Sequence, residues 1–321
     1  MNALKLIFMG TPAFALPSLD LLANSAHRLA AVVTRPDKPV GRGGKARQSP
    51  VKQWVLQHGV EVVQPEKMND EKFLAWLKEK APDLIVTVAF GRILPAVILD
   101  LPPFGSINLH ASYLPFYRGA APIHRAIMEG AACSGVSIIK LTSELDAGDI
   151  IMQEKEAIGS DDTAGSLHDR LAKKGSFLLL QAINALAEGK ARPRPQDHRQ
   201  ATYAPPLHPE EEKLNWKLSA FELYNRIRGL NPWPGAYTYF NGKRLKVWRA
   251  TLPEENTLDT QVYLPGTILA VGEDYLTVAA GKGVLVLREL QPAGKKRMNA
   301  GSFCCGYRLE PGCRFDEEQQ S

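Results

Sequence analysis

Asn108 and His110 stand two residues apart at the end of a short apolar run, Ser106-Ile107-Asn108-Leu109-His110, and Asp146 follows later in the chain. In a strand, the period of two sets both side chains on one face, aimed beyond the strand's C-terminal end. An amide and an imidazole held side by side offer hydrogen-bond donors to an oxyanion, and the imidazole can also carry a proton. A carboxylate such as Asp146 can fix the tautomer and orientation of His110 and stabilise its cation. Such a set suits acyl transfer with no metal and no covalent intermediate.

These residues need a scaffold, and the patterning supplies one. Strand-like Leu4–Met9 and Leu29–Thr34 flank a helical Pro12–Asn24, the start of a βαβ unit. A short strand over Glu61–Val63, a helix over Asn69–Lys80 and the apolar strand Asp83–Ala89 follow, then a short helix after Pro95 and the strand that ends at His110. A helix begins near Pro122, Gly135–Leu141 and Ile150–Ala157 read as strands, and a long helix runs from Thr163 to Glu188. Strands alternating with helices, several of them apolar on both faces, predict an α/β fold with a mostly parallel, Rossmann-like sheet covered on both sides. In such sheets ligands sit beyond the carboxyl ends of the strands, where Gly10 and His110 both lie. Gly10-Thr11-Pro12 lacks the later glycines of a dinucleotide fingerprint, which disfavours a nicotinamide enzyme.

The proline-bearing stretch after Gly189 breaks this pattern, so residues 1–189 read as a catalytic domain and 190–208 as a linker. Residues 209–312 contain a helix over Ser219–Leu230 and then short strands with turn signals, including Asn241-Gly242, which predict a small β-barrel. Residues 313–321 form a tail. The chain of 321 residues has room for both domains, and its 45% apolar and 23% charged shares are those of an ordinary globular protein. Four cysteines give no zinc spacing and no disulfide framework, so no metal is expected. Gly10-Thr11-Pro12 interrupts the apolar start that a signal peptide would need, and no run approaches a membrane span. A cytoplasmic protein without membrane association, working as a monomer, is expected. Residues 1–189 are nearly neutral, with 20 basic against 19 acidic residues, whereas 190–321 carry 19 against 15. A basic second domain suggests a polyanionic partner.

Gly10-Thr11-Pro12, the Asn-x-His strand end, the Ser112–Pro115 turn, Arg118-Gly119-Ala120-Ala121-Pro122 and Leu145-Asp146-Ala147-Gly148-Asp149 occur in that order. Together they resemble the folate-dependent formyltransferases. The likeness continues through Asn231-Pro232-Trp233-Pro234, Lys246-Val247-Trp248, Pro265-Gly266-Thr267-Ile268 and Gln291–Lys296, and so covers about residues 4 to 312. The resemblance implies 10-formyltetrahydrofolate as co-substrate and direct transfer through a tetrahedral intermediate stabilised by Asn108, His110 and Asp146. It also implies an OB-like form for the C-terminal barrel, and folate contacts at Ser112, Tyr113, Leu114 and Pro115 and at Phe90, Gly91 and Ile93. Ala111 and Tyr113 depart from the family's usual glycine and leucine.

The segment Arg35–Ser49 holds Arg35, Lys38, Arg42, Lys45 and Arg47 against Asp37 alone, with three glycines that favour mobility. A flexible cationic loop suits the acceptor end of a tRNA, because phosphates reward Arg and Lys. By resemblance it points to Arg42, with Lys45 and Arg47, as tRNA-binding and to methionyl initiator tRNA as the acceptor, for translation initiation. Phe14 and Gly10 are candidates for the substrate pocket. The alternative acceptor is a nucleotide-linked amino sugar, which would use the same three chemical groups.

Overall fold

A computed structural model describes residues 2–39, 46–253 and 262–315. Two compact units are present, one of residues 1–122, 133–157 and 168–205, the other of 123–132, 158–167 and 206–321. The expected linker 190–208 therefore contributes most of its length to the first unit.

The first unit is built on a seven-stranded sheet. Its strands are β1 (Lys5–Gly10), β2 (Arg28–Val33), β3 (Val62–Val63), β4 (Leu84–Val88), β5 (Ser106–His110), β6 (Cys133–Lys140) and β7 (Ile150–Ala157). Their order is β7-β6-β5-β4-β1-β2-β3. The five strands from β5 to β3 are parallel, whereas β6 runs antiparallel to both β5 and β7. The sheet is thus mixed, and β6 returns directly alongside the strand that carries Asn108 and His110. Apolar runs in β1 and β4 are fully buried, as parallel strands covered on both faces require.

Helices α1 (Leu16–Ala23), α2 (Pro50–His58), α3 (Glu71–Lys80), α4 (Ala96–Leu99), α5 (Pro122–Met128) and α6 (Ala164–Ala187) occur between and after these strands. Phe73 and Leu77 of α3 and Ile98 and Leu99 of α4 pack with Ile7, Met9, Val33 and Ile85 on one face of the sheet. Each such side chain, fully buried, is worth roughly 1.5–3 kcal/mol. On α6, a Cβ at Gly175 would stand 2.7 Å from Leu109 Cδ1, so the helix approaches β5 as only glycine allows. Helix α2 was not anticipated by apolar periodicity, because only Val51 and Val55 are buried in it. Its signals are local: Ser49 accepts from Lys52 N, Pro50 opens the helix, and Gly59 closes it in the left-handed region. Ahead of it, the basic segment brings Lys38–Pro39 antiparallel to Ala46–Arg47. Arg47 is exposed; Arg42 and Lys45 lie outside the described residues.

The second unit has an antiparallel sheet of β8 (Tyr237–Phe240), β9 (Lys243–Thr251), β10 (Ile268–Val271), β11 (Leu276–Ala279) and β12 (Val284–Pro292), in the order β8-β9-β12-β11-β10. Met298–Asn299 pairs with β12 as a sixth strand. Helix α7 (Ala220–Gly229) and an unanticipated α8 (Ala300–Tyr307) supply Leu223, Ile227, Phe303 and Cys304 to its core. Burial pushes the Cys304 thiol up to about 11, which marks it as a packed, unreactive group. The sheet is curled, and no ladder joins β10 to β8 among the described residues. No helix among these residues is long and apolar enough to cross a membrane, and none of their His, Cys, Asp and Glu side chains group to hold a metal.

Candidate active site

Parallel register sets the carboxyl ends of three strands side by side: Gly10 of β1 faces Val88 of β4, and Thr87 faces Asn108 of β5. Gly10 is required there by close approach, since a Cβ would stand 3.0 Å from Val88 O and 2.7 Å from Phe8 Cε1. Thr87, a polar residue in an otherwise apolar strand, has its Oγ1 2.7 Å from Asn108 Oδ1. That contact fixes the amide plane. The Asn108 side chain is half-buried, and its Nδ2 donates to no protein group among the described residues. An oriented donor at a strand end is thus left for a ligand.

His110 is buried, 6% exposed, and is held from two sides. Its Nε2 lies 2.9 Å from the Tyr117 carbonyl, which can only accept, so that nitrogen carries a proton. Its Nδ1 lies 3.5 Å from Asp146 Oδ2, longer than an optimal hydrogen bond. The backbone carbonyl therefore does most to set the ring plane, a task the sequence had given to Asp146 alone. Nδ1 is the less tightly engaged nitrogen and the one able to gain, give or share a proton opposite a carboxylate.

Asp146 is positioned in turn by Gly119 N, which donates to the same Oδ2 at 2.9 Å. The short strand Arg118–Gly119 pairs in parallel with Tyr203–Ala204, and a Cβ at Gly119 would stand 2.7 Å from Ala204 O. With a φ of +120°, Gly119 is a glycine twice over. Tyr117 and Asp146 also have positive φ, +59° and +49°. Non-glycine residues held there cluster at functional sites, where the surroundings enforce the conformation. Tyr117 and Asp146 thus form a strained patch around the imidazole, with Gly119 beside them. Asp146 is both the turn former and the carboxylate partner.

The turn after His110 is a rigid piece of scaffold. Ser112 is fully buried and its hydroxyl donates to Phe116 O at 2.6 Å. Ser137 Oγ donates to Ser112 O and accepts from Leu114 N, while Gln153 donates to Leu114 O. The Leu114 side chain is buried with Ile139 and Ile150. Tyr113 rests on Gly135, where leucine would be usual in the family, and Lys155 lies 5.1 Å over its ring. After β4, Phe90 and Leu94 turn into the core, while Gly91 and Ile93 are exposed, Ile93 at 78%. Phe14 is 5% exposed and meets the His168 ring edge-on, the contact of a core aromatic.

Three positioning groups were not read from the sequence: Thr87, the Tyr117 carbonyl and the Gly119 amide. Thr87 had a visible signal, a hydroxyl inside an apolar strand. The other two had none, because backbone carbonyl and amide groups are common to nearly every residue.

A mixed α/β sheet carrying an amide with a free Nδ2 and an imidazole at a strand end, with a carboxylate from a nearby loop, offers the groups that group transfer to an amine can use. The chain belongs to the formyl transferase family: the family description "Formyl transferase" matches residues 4–183, and "Formyl transferase, C-terminal domain" matches 206–308. It is 50% identical to a methionyl-tRNA formyltransferase of Moorella thermoacetica, over 96% of this chain and 98% of that one. It is 45% identical to the Lachnospira eligens protein of the same name, over 98% and 100%. Among solved structures, WlaRD, a sugar 3N-formyl transferase, superposes with a TM-score of 0.65 at 20% identity, over 92% of this chain and 100% of that one. HypX from Aquifex aeolicus in complex with tetrahydrofolic acid gives 0.65 at 15%, over 98% and 51%. These two structures establish the shared fold.

Proposed function

We propose that the protein transfers the formyl group of 10-formyltetrahydrofolate to the α-amino group of methionyl initiator tRNA, the step that readies this tRNA for translation initiation. The observation that carries the chemistry is the Asn108 Nδ2, oriented through Oδ1 by Thr87 and without a protein acceptor among the described residues, near an imidazole whose Nδ1 faces Asp146. The amine attacks in its neutral form, and an α-amino group of pKa near 8 is partly neutral at pH 7. As the new N–C bond forms, the formyl oxygen gains negative charge; Asn108 Nδ2 stabilises it as a preorganised donor, and the His110 ring adds an Nδ1–H and positive charge once it has taken up a proton. The bond from carbon to N10 of the folate then breaks. A proton passes from the amine to the leaving nitrogen, with His110 as carrier and Asp146 balancing its charge.

The exposed Gly91 and Ile93 and the half-buried Tyr113 and Pro115 are the folate-side surfaces in this reading, with Ser112 and Leu114 shaping the turn beneath them. Arg42, Lys45 and Arg47 are assigned to the tRNA acceptor arm by the charge of their segment and by the family resemblance. The second unit, read as an OB-like barrel, supplies a further polyanion surface. Tyr237 lies opposite Lys246, and Tyr239 opposite Arg244, so all four share one face of its sheet. Arg244 stands 3.5 Å over the Tyr237 ring, Lys213 5.4 Å over Tyr239, and Arg297 4.0 Å over Trp248. Cations spread over aromatic rings suit a phosphate backbone with stacked bases. In this reading the enzyme works in the cytoplasm and needs neither a metal nor a membrane partner.

The deciding test offers labelled 10-formyltetrahydrofolate together with charged initiator methionyl-tRNA, a nucleotide-linked amino sugar and water. Label in the aminoacyl-tRNA is expected. Label in the sugar would overturn the acceptor, and label released as formate would overturn transfer itself.

A further inference from the structure

Gln196 is 5% exposed and has all its polar atoms engaged within the first unit. Its Nε2 donates to the carbonyls of Asp146 and Gly148, at 2.8 Å each. Its Oε1 accepts from Arg118 Nε at 3.1 Å and Nη2 at 2.6 Å. A guanidinium can only donate, so Oε1 must face Arg118 and the two N–H groups must face the turn. Arg118 is itself 3% exposed; its Nη2 also lies 3.4 Å from His198 Nδ1, and no carboxylate reaches it among the described residues. A buried cation held by an amide is a costly arrangement. Here it locks that amide in the one orientation that staples residues 146 and 148.

The flanking backbone works on the same target. Tyr117 O accepts from the imidazole and Gly119 N donates to the Asp146 carboxylate, with Arg118 between them. Tyr117 N donates to Thr202 Oγ1 and Arg118 N to Thr202 O, which ties this strand to the segment after Gln196. Asp146 has a φ of +49°, so its turn needs external support to keep the carboxylate opposite His110.

We propose that Gln196 and Arg118 are positioning residues for the transfer reaction: Arg118 orients the Gln196 amide, and Gln196 holds the Asp146 turn so that its carboxylate faces His110. This rests on the role given to Asp146 above. The informative variant is Gln196→Glu, whose carboxylate pairs better with Arg118 but has no N–H for the Asp146 and Gly148 carbonyls. If Gln196 only accommodates the buried guanidinium, Q196E leaves turnover intact. If it staples the turn, kcat falls by roughly ten- to a hundredfold, as misplacements remote from the chemistry do, while KM for folate and tRNA stays unchanged.

Steady-state rates and melting temperature of Q196E are measured beside single-turnover rates of Asp146→Asn and of the D146N/Q196E double variant. Equal rates for D146N with and without Q196E are expected, because a residue acting through the carboxylate has nothing left to act on. Wild-type kcat in Q196E, a raised KM at unchanged kcat, or losses that multiply in the double variant would each overturn the proposal. Should Q196E fail to fold, Arg118→Lys keeps the buried charge and loses the two-pronged grip on Oε1. A lower kcat at unchanged KM is expected of it, and a folded R118K with wild-type kcat would sink the proposal. Wild-type turnover in D146N would instead overturn the role of Asp146 itself, whereas a collapsed D146N beside an unaffected Q196E removes only the present inference.

Discussion

The two units spend their polar residues in opposite ways. In the first, Thr87, His110, Asp146, Arg118 and Gln196 are buried or nearly so, and each is fixed by a named partner a hydrogen bond away. In the second, Arg244, Lys246, Lys213 and Arg297 stand over tyrosine and tryptophan rings on the outer side of a sheet whose inner side holds Leu245, Val247 and Leu290. Chemistry at a carbonyl depends on angles and tenths of an ångström, so its groups are withdrawn from water and locked. Capture of a polyanion depends on charge density, which tolerates mobile side chains. Under the proposed function, the first unit would be limited by geometry and the second by charge.

The contrast is broken most directly at His110. His110→Ala should lower kcat on the order of 10²–10³-fold, with tRNA affinity nearly intact; a parallel loss of affinity, measured by filter binding, would erase the division between the units. Next in size is a device inside the second unit, where Arg125 of α5 pairs with Glu211 through both carboxylate oxygens. The Arg125 guanidinium, with His208 N, draws the Glu211 carboxyl down to about 2 from its ordinary 4.5. A depressed folded value means that the stabilisation is complete above about 4.5 and fades as the pH falls toward 2. Glu211→Gln should cost about 2 kcal/mol at neutral pH and flatten the acid limb of thermal unfolding. An unchanged melting temperature would make that pair a bystander.

Replacing Arg244 and Lys246 together by Ala should weaken tRNA binding about tenfold in low salt and flatten the salt slope by roughly one to two. Saturating tRNA should restore kcat. A kcat defect that survives saturation would mean the second unit's face shapes the reaction as well as recruiting substrate. The smallest effect is expected at Ser49, which caps α2 after the basic segment. Ser49→Ala should cost about 1 kcal/mol in denaturant unfolding, and no measurable change would show the cap to be redundant with Pro50.

The elements that position the site were mostly legible because each is a local pattern. The apolar runs of β1 and β4 read as strands, and the amphipathic stretch that became α3 reads as a helix. Helix α2 was passed over because its signal lies in its caps and its buried stripe is only two residues wide. Proline and polar residues after Gly189 read as a linker, yet Tyr203–Ala204 forms a ladder with Arg118–Gly119 and Gln196 is buried. Nothing local distinguishes a proline-rich segment that crosses solvent from one pressed against a domain. The reversed direction of β6 was hidden for a similar reason, since its continuous buried run reads alike in either direction.

By itself the sequence determined the chemical types and their order: an amide and an imidazole two apart on a strand, a carboxylate before a glycine turn, and basic residues weighted toward the C-terminal half. These depend on side-chain identity and on the period of two, which the chain states outright. Tertiary structure alone decided who holds whom. It chose the Tyr117 carbonyl for the His110 ring, Gly119 N for the Asp146 carboxylate, Thr87 for the Asn108 amide, and Gln196 with Arg118 for the turn behind them. Those partners are up to 78 residues apart in the chain. Backbone carbonyls and amides are the same at every position, so only the folded register picks out the ones that do the holding.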